Sequence, residues 1–216
     1  GIFIRKPGAL KPEQDKYLDG YFEREIYPVL TPVAVDETHP LPWIPGLTFS
    51  LAVLLEPERT KDEAPRLAVV QVPGGLPGLI RLPGGEGLEL CWLHDAVRRR
   101  LADLFTGHRI REAAGLRIAR DSELDIDDDG LEDYVGTLGS ELKKRRRARA
   151  IRLEHEPMSA ELLERIRKAL DVSEENLFAA RGPLDPRPLL LLADMPGYER
   201  LRFKPQPPQP RADVTG

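Results

Sequence analysis

Five consecutive cations, Lys143, Lys144, Arg145, Arg146 and Arg147, with Arg149 two residues on, are the side chains of this sequence best suited to holding phosphate. Arginine's planar fork matches the geometry of phosphate oxygens. Neighbouring like charges also repel one another, a cost that a polyanionic partner would relieve. The run closes an amphipathic stretch whose apolar face is Leu131, Tyr134, Val135, Leu138 and Leu142. Cations at a helix C-terminus balance the helix dipole as well. Dipole balance by solvated charge is the default reading. Phosphate contact through Lys144, Arg145, Arg146 and Arg147 is the alternative it leaves open. No aromatic residue is interleaved with these cations, so base stacking is not indicated.

The other candidates for chemistry are weaker. Asp125, Asp127 and Asp129 followed by Gly130 fit the first half of a calcium loop. That pattern then requires a glutamate six residues after the glycine, where Gly136 stands. Carboxylates crowding a helix N-terminus account for the run without a metal. His39, His94, His108 and His155 are scattered, none at metal-ligand spacing from another or from Cys91. A structural hydrogen-bonding role is expected for His39, and a packed strand-end position for Cys91. The glycine-rich turns near Gly74 and Gly84 lead into neither a P-loop nor a dinucleotide fingerprint. Nothing pairs a nucleophile with a base.

Around these residues the chain alternates two periodicities. Pro12 opens a helix whose apolar positions are Tyr17, Leu18, Tyr21, Phe22 and Ile26, and which stops before Pro28. Residues 48–56 and 66–72 read as apolar strands joined by a polar hairpin connection. Two short strands follow at 79–83 and 88–91, then one helix with Leu93, Val97, Leu101 and Leu104 on its stripe. Arg98, Arg99 and Arg100 fall largely outside that stripe. A pair of strands is expected around Ile110 and over 116–119, and a half-buried strand over 150–156. Ser159 can cap a helix whose core face is Leu162, Leu163, Ile166 and Leu170. This order, without a regular βαβ count, gives an α+β fold. A mixed sheet is flanked by helices, with an N-terminal helix before it and an extended, polyproline II-like C-terminal tail after Phe203.

The 216 residues suit one domain, or one domain and an appendage, with 41% hydrophobic and 31% charged content typical of a globular chain. The net charge of −4 argues against a general nucleic-acid binder. A single cysteine precludes an intramolecular disulfide and fits a reducing compartment. No stretch is apolar for long enough to be a membrane-spanning helix. A first residue that is not methionine and a proline-rich end read as a piece cut from a longer protein.

The most constrained stretch is YFEREIYPVLTPVAVDETHPLPWIP, Tyr21 to Pro45. Pro28, Pro32, Pro40, Pro42 and Pro45 each fix φ and bias the preceding residue away from helix, which predicts a rigid, mostly non-helical strap. Trp43 and Ile44, between two prolines, are expected to pack against the next strand or the first helix. This strap resembles the start of the head (middle) domain of bacterial polyphosphate kinases. LRIARDSELDIDDDG from Leu116, ELKKRRRARAIRLEHEPMSAELLERI from Glu141 and the closing RGPLDPRPLLLLADMPGYERLRFKP are similar to later parts of that domain. Departures are local, at Gly46 and in the tail prolines.

The resemblance implies a parent enzyme that reversibly moves the terminal phosphate of ATP onto polyphosphate, through a phosphohistidine and with magnesium. It places both working histidines in C-terminal catalytic domains. The chain itself would be the head domain, serving subunit association and the walls of the nucleotide and polyphosphate passage. It would bind no cofactor of its own and be inactive alone. The implied partners are the remaining domains of the parent and further copies of it, with no nucleic acid; the implied location is cytoplasmic, with peripheral membrane association left open. The expected division is a helical lead-in over 1–26, the head domain over 27–203 and a linker over 204–216. Two rivals are an independent polyanion-binding module built on Lys143 to Arg149 and a purely structural interaction domain.

Overall fold

A computed structural model describes residues 1–35, 44–58, 64–121, 149–204 and 206. The expectations for Trp43, His39, the acidic run from Asp125, the helix over 131–142 and the proline-rich tail fall outside these residues. The chain divides into two compact units, 1–185 and 186–216.

In chain order the first unit contains β1 (Ile2–Arg5), α1 (Pro12–Tyr21), β2 (Pro32–Val35), β3 (Ser50–Pro57), β4 (Arg66–Gln71), β5 (Leu79–Arg81) and β6 (Leu88–Trp92). There follow α2 (Leu93–Arg99), α3 (Leu101–Leu104), β7 (His108–Arg120), β8 (Ala150–His155), α4 (Ala160–Leu170) and β9 (Leu177–Ala179). Six strands form one sheet in the order β2-β4-β3-β7-β8-β9, and three form another in the order β1-β6-β5. Both sheets are mixed. The large one is antiparallel except for β8 with β9, and the small one pairs β1 parallel and β5 antiparallel to β6. Helices flank them, so the fold is α+β with an N-terminal helix.

β3 explains why its sequence is an unbroken apolar run. Successive side chains of a strand point to opposite faces, and this strand is covered on both. Leu51, Val53 and Leu55 enter a core shared with Leu18, Phe22 and Ile26 and with Ala96, Val97 and Leu101. Ala52 and Leu54 enter a second core with Leu116, Ile118 and Leu153 and with Leu162 and Ile166 of α4. That helix starts where its sequence says: Ser159 Oγ accepts the Leu162 N–H at 3.2 Å.

The proline strap is built from short pieces. After α1 the chain widens into a π-helical stretch, Phe22–Ile26, with both end residues buried, and then tightens into a 3-10 turn over Tyr27–Val29. Pro28 has no N–H with which to continue a helix. β2 then lies at the edge of the large sheet, with Pro32 opposite Val70 of β4. An edge tolerates a strand proline because its missing donor can face away from the ladder.

Two expectations are corrected. The residues around Ile110 and over 116–119 are not a pair of strands but one continuous strand, β7, which runs between β3 and β8. Gly115 in its middle is required by close approach. Its N–H donates to Glu156 Oε2 at 2.7 Å, and a Cβ there would stand 2.6 Å from the Phe49 ring. The helix carrying Leu93 and Leu104 is likewise two short helices, broken at Arg100, whose φ of −109° leaves the helical range.

The second unit holds a 3-10 turn over Arg187–Leu189, α5 (Leu190–Ala193) and a 3-10 turn over Glu199–Leu201. Its bonds are local: Arg202 Nη2 donates to Met195 O at 3.2 Å and the Gly197 N–H to Glu199 Oε1 at 2.9 Å. None of its described residues is buried.

Candidate functional site

Lys144, Arg145, Arg146 and Arg147 lie outside the described residues. The backbone on either side of them is described. β7 and β8 are still paired at Arg120 and Ala150, and the Asp121 N–H donates to Arg149 O at 3.0 Å. Asp121 and Arg149 therefore stand side by side at one end of the β7–β8 pair. Arg149, the one described member of the cationic run, is exposed there.

A second cationic group is brought together by folding. Lys6, Pro7, Asp95, Arg98 and Arg99 line a cleft of about 360 Å³. Its arginines are matched within the protein. Arg98 Nη1 donates to Asp95 Oδ1 at 3.2 Å and Nη2 to Glu156 Oε2. Arg99 bonds Asp15 and reaches Asp19 of α1. Arg100 reaches Asp19 and Glu23, bonds Asp103, and lies 4.9 Å over the Phe22 ring. Arg99 of α2 and Arg100 just after it thus tie α1 and the stretch that follows α1 to the end of α2. The arrangement offers positioning and charge, with no nucleophile.

The other end of α1 is held by a buried polar node. Gln14 accepts from the Lys11 N–H at 3.1 Å and donates to Pro83 O at 3.0 Å and to the Glu89 carboxylate. Arg5 Nη2 completes the node at 2.9 Å from Glu89 Oε1. The bonds from Gln14 and Arg5 hold the Glu89 carboxyl below its ordinary value. Gly84, at φ +61°, lets the β5–β6 turn meet Glu13, and its carbonyl accepts from Lys11 Nζ at 3.1 Å.

His94 stands beside the cleft between two rings, Phe49 at 4.4 Å and Trp92 at 5.3 Å. Burial, then the neighbouring Arg98, pushes its pKa down to about 4, against the opposing pull of Glu156 and Asp185. It is neutral at pH 7. Its Nε2 is 3.7 Å from Asp95 Oδ1, too long for a hydrogen bond. His155 is buried with Nδ1 at 2.8 Å from Glu156 O, and His108 Nδ1 is 3.3 Å from Thr106 O. Cys91 is fully buried in the small sheet, where burial pushes its thiol up to about 12, so it is no nucleophile. Among the described residues no three His, Cys, Asp or Glu side chains come together as metal ligands. Among them too, no helix is long and apolar enough to cross a membrane.

The far end of the strap is clamped by β7. Arg120 Nε donates to Ile44 O at 2.9 Å, and Arg117 donates to Leu47 O at 3.3 Å and to Leu184 O at 2.5 Å. The Leu47 N–H donates to Ile118 O at 2.7 Å, with Leu47 itself at φ +59°. Ile44 is fully buried, as its position between prolines predicts. Sequence reasoning missed both arginine groups. The series Asp15, Asp19 and Glu23 at four-residue spacing is the signal that could have matched Arg99 and Arg100. Nothing local announces the carbonyl clamps.

With this geometry in hand, comparison with known proteins gives a consistent answer. A family model described as polyphosphate kinase middle domain matches residues 13–192. The polyphosphate kinase of Bacillus cereus is 36% identical over 214 residues, covering 94% of this chain and 30% of that protein. That of Bacillus anthracis is 35% identical over 215 residues, covering 95% and 31%, and that of Thermosynechococcus vestitus 32% over 218, covering 96% and 29%. The crystal structure of polyphosphate kinase from Porphyromonas gingivalis has the same fold, with a TM-score of 0.73 over 97% of this chain and 29% of that one at 23% identity. The chain spans 29–31% of the length of the three relatives compared by sequence.

Proposed function

The chain belongs to the polyphosphate kinase family, within which it matches the middle domain, and from that premise we propose that it is the head domain of an enzyme that reversibly transfers the terminal phosphate of ATP to inorganic polyphosphate. The observation that carries this reading is the family match over residues 13–192. In this reading the phosphohistidine forms in another part of the longer protein. The described histidines fit that division. His94 is packed between rings, His155 is buried against a carbonyl, and among the described residues no carboxylate forms a hydrogen bond with either that would activate it.

The head domain then contributes position and charge to subunit association and to the walls of the nucleotide and polyphosphate passage. Phosphoryl transfer depends on positioning and electrostatic stabilisation more than on covalent chemistry by the scaffold. The arginines of α2 are committed to carboxylates of this same chain, and Lys144, Arg145, Arg146 and Arg147 are the cations this reading assigns to polyphosphate contact. Magnesium would supply charge neutralisation at the transferring phosphate. The described residues bring no ligand set together for it, so no step of the reaction is assigned to it on this domain.

The test uses the full-length protein. Incubated with ATP it should build acid-insoluble polyphosphate, and with polyphosphate and ADP it should return ATP. Failure in both directions would refute the activity. Neutralising Arg145, Arg146 and Arg147 together should raise KM for polyphosphate and spare that for ATP, less so as salt rises. An unchanged KM would return those cations to dipole balance.

A further inference from the structure

Pairing of β7 with β8 gathers Arg117, Arg120, Arg149 and Arg152 at one end of the two strands, against the carboxylates of Asp121 and Glu154. This local excess of positive charge stands out in a chain whose net charge is −4. Two of the arginines are turned to the protein's own backbone, Arg117 to Leu47 O and Leu184 O and Arg120 to Ile44 O. The other two are not. Arg149 is exposed, and among the described residues no bond engages its side chain. Arg152 is 46% exposed but held in place. Its guanidinium lies 3.9 Å over the Phe178 ring, and its Nε donates to Glu154 Oε1 at 2.9 Å. Among the described residues Nη1 and Nη2 have no partner, and Ala119 opposite on β7 brings no polar side chain to them.

The spacing of this pair suits a chain of phosphates. Three residues of strand cover about 10 Å, close to the screening length at physiological ionic strength, so the two charges still feel each other. A polyanion relieves that repulsion. A single phosphate is too small to meet both guanidinium groups at once, whereas a linear polyphosphate can run from one to the other. The planar fork of each matches phosphate oxygens, and such charge-assisted bonds are the strong ones. Arg152 is already ordered by Phe178 and Glu154, so binding costs it less side-chain freedom. A nucleic acid is the poorer occupant. The guanidinium covers one face of Phe178, the aromatic ring beside these cations, where a base would stack.

We propose that Arg149 and Arg152 form a polyphosphate contact at the start of β8, with Phe178 and Glu154 positioning the Arg152 guanidinium. The proposal rests on the reading of this chain as part of a polyphosphate kinase, and it carries the cationic run Lys143 to Arg147 on into the described sheet. Its test is equilibrium binding of fluorescently labelled polyphosphate to the full-length protein at several salt concentrations. The double substitution Arg149→Gln and Arg152→Gln should weaken binding about tenfold at low salt and flatten the salt dependence by about one for each guanidinium that meets a phosphate. The pair Arg149→Lys and Arg152→Lys keeps both charges and should restore the salt dependence. Phe178→Leu frees the guanidinium without removing charge, and should weaken binding only about twofold with the salt dependence unchanged. Unchanged affinity and salt dependence in the double variant would overturn the proposal, and so would tighter binding of a single-stranded oligonucleotide than of polyphosphate by the wild type. If the double variant unfolds more readily, Arg149→Gln alone decides: a salt dependence lower by about one supports the contact, and an unchanged one overturns it. Polyphosphate synthesis is read separately. An inactive wild type that binds with the full salt dependence refutes the activity alone, and an active enzyme whose double variant binds like the wild type refutes the contact alone.

Discussion

Leucine is used in two opposite ways in this chain. Leu54 in β3 is fully buried in the core that α4 shares with the large sheet, while Leu191 in α5 is 60% exposed. One residue type has two surroundings because β3 is covered on both faces, whereas no described residue of 186–204 is buried. The difference teaches that the described residues of 1–185 bury one another's apolar side chains, whereas those of 186–204 have local shape without burial. Substituting Leu54→Ala should therefore be the largest single effect, a loss of about 3–5 kcal/mol from removed burial and an imperfectly filled cavity. Chemical denaturation measures it, and a loss below about 1 kcal/mol would mean the second core is loosely packed.

His94 sharpens the same contrast through pH. In the unfolded chain it titrates near its ordinary 6.5, and in the fold near 4. Between those values the unfolded state binds more protons, so this contribution is complete above 6.5 and falls away as pH drops towards 4. Asp95, Arg98, Glu156 and Asp185 face the ring and shape the total curve, so the comparison is made against His94→Phe. The wild type should lose about 3 kcal/mol more than the variant across that window. Parallel curves would mean His94 is hydrated in the fold.

The carbonyl clamp comes next. Arg120→Met should cost about 1–2 kcal/mol, because Ile44 O loses a donor beside a core residue. A shift in the urea midpoint reports it, and no shift would mean water replaces the guanidinium without loss.

How far these effects were legible in the sequence varies with the range of the contact. The unbroken run of β3 announced burial on both faces, and Ser159 announced the start of α4. The prolines marked a segment that is neither long helix nor central strand, and β2 proved to be an edge. All of these depend on residues within a few positions of each other. The continuity of β7 did not show, because Gly115 reads locally as a break and its reason lies in Phe49 and Glu156. The pairing of Arg99 and Arg100 with Asp15 and Asp19 joins positions about eighty residues apart; the four-residue spacing of the acids marks one partner face, but nothing local says which cations meet it. The resemblance carried by Tyr21 to Pro45 nonetheless pointed to the family that the middle-domain match then showed.

The smallest effect is expected at the exposed leucine. Leu191→Ala in the 216-residue chain should change stability by no more than about 0.5 kcal/mol, since the side chain has little to lose there. A loss comparable to that at Leu54 would erase the distinction between the two regions.

The central proposal is that this chain is a scaffold of a phosphoryl-transfer enzyme whose phosphate-carrying histidine lies elsewhere. It is tested most directly by incubating the full-length protein and the 216-residue chain with γ-labelled ATP and measuring protein-bound label. The account predicts acid-labile, base-stable label on the full-length protein and none on the 216-residue chain. Label on the short chain that disappears on substituting His39 would contradict it.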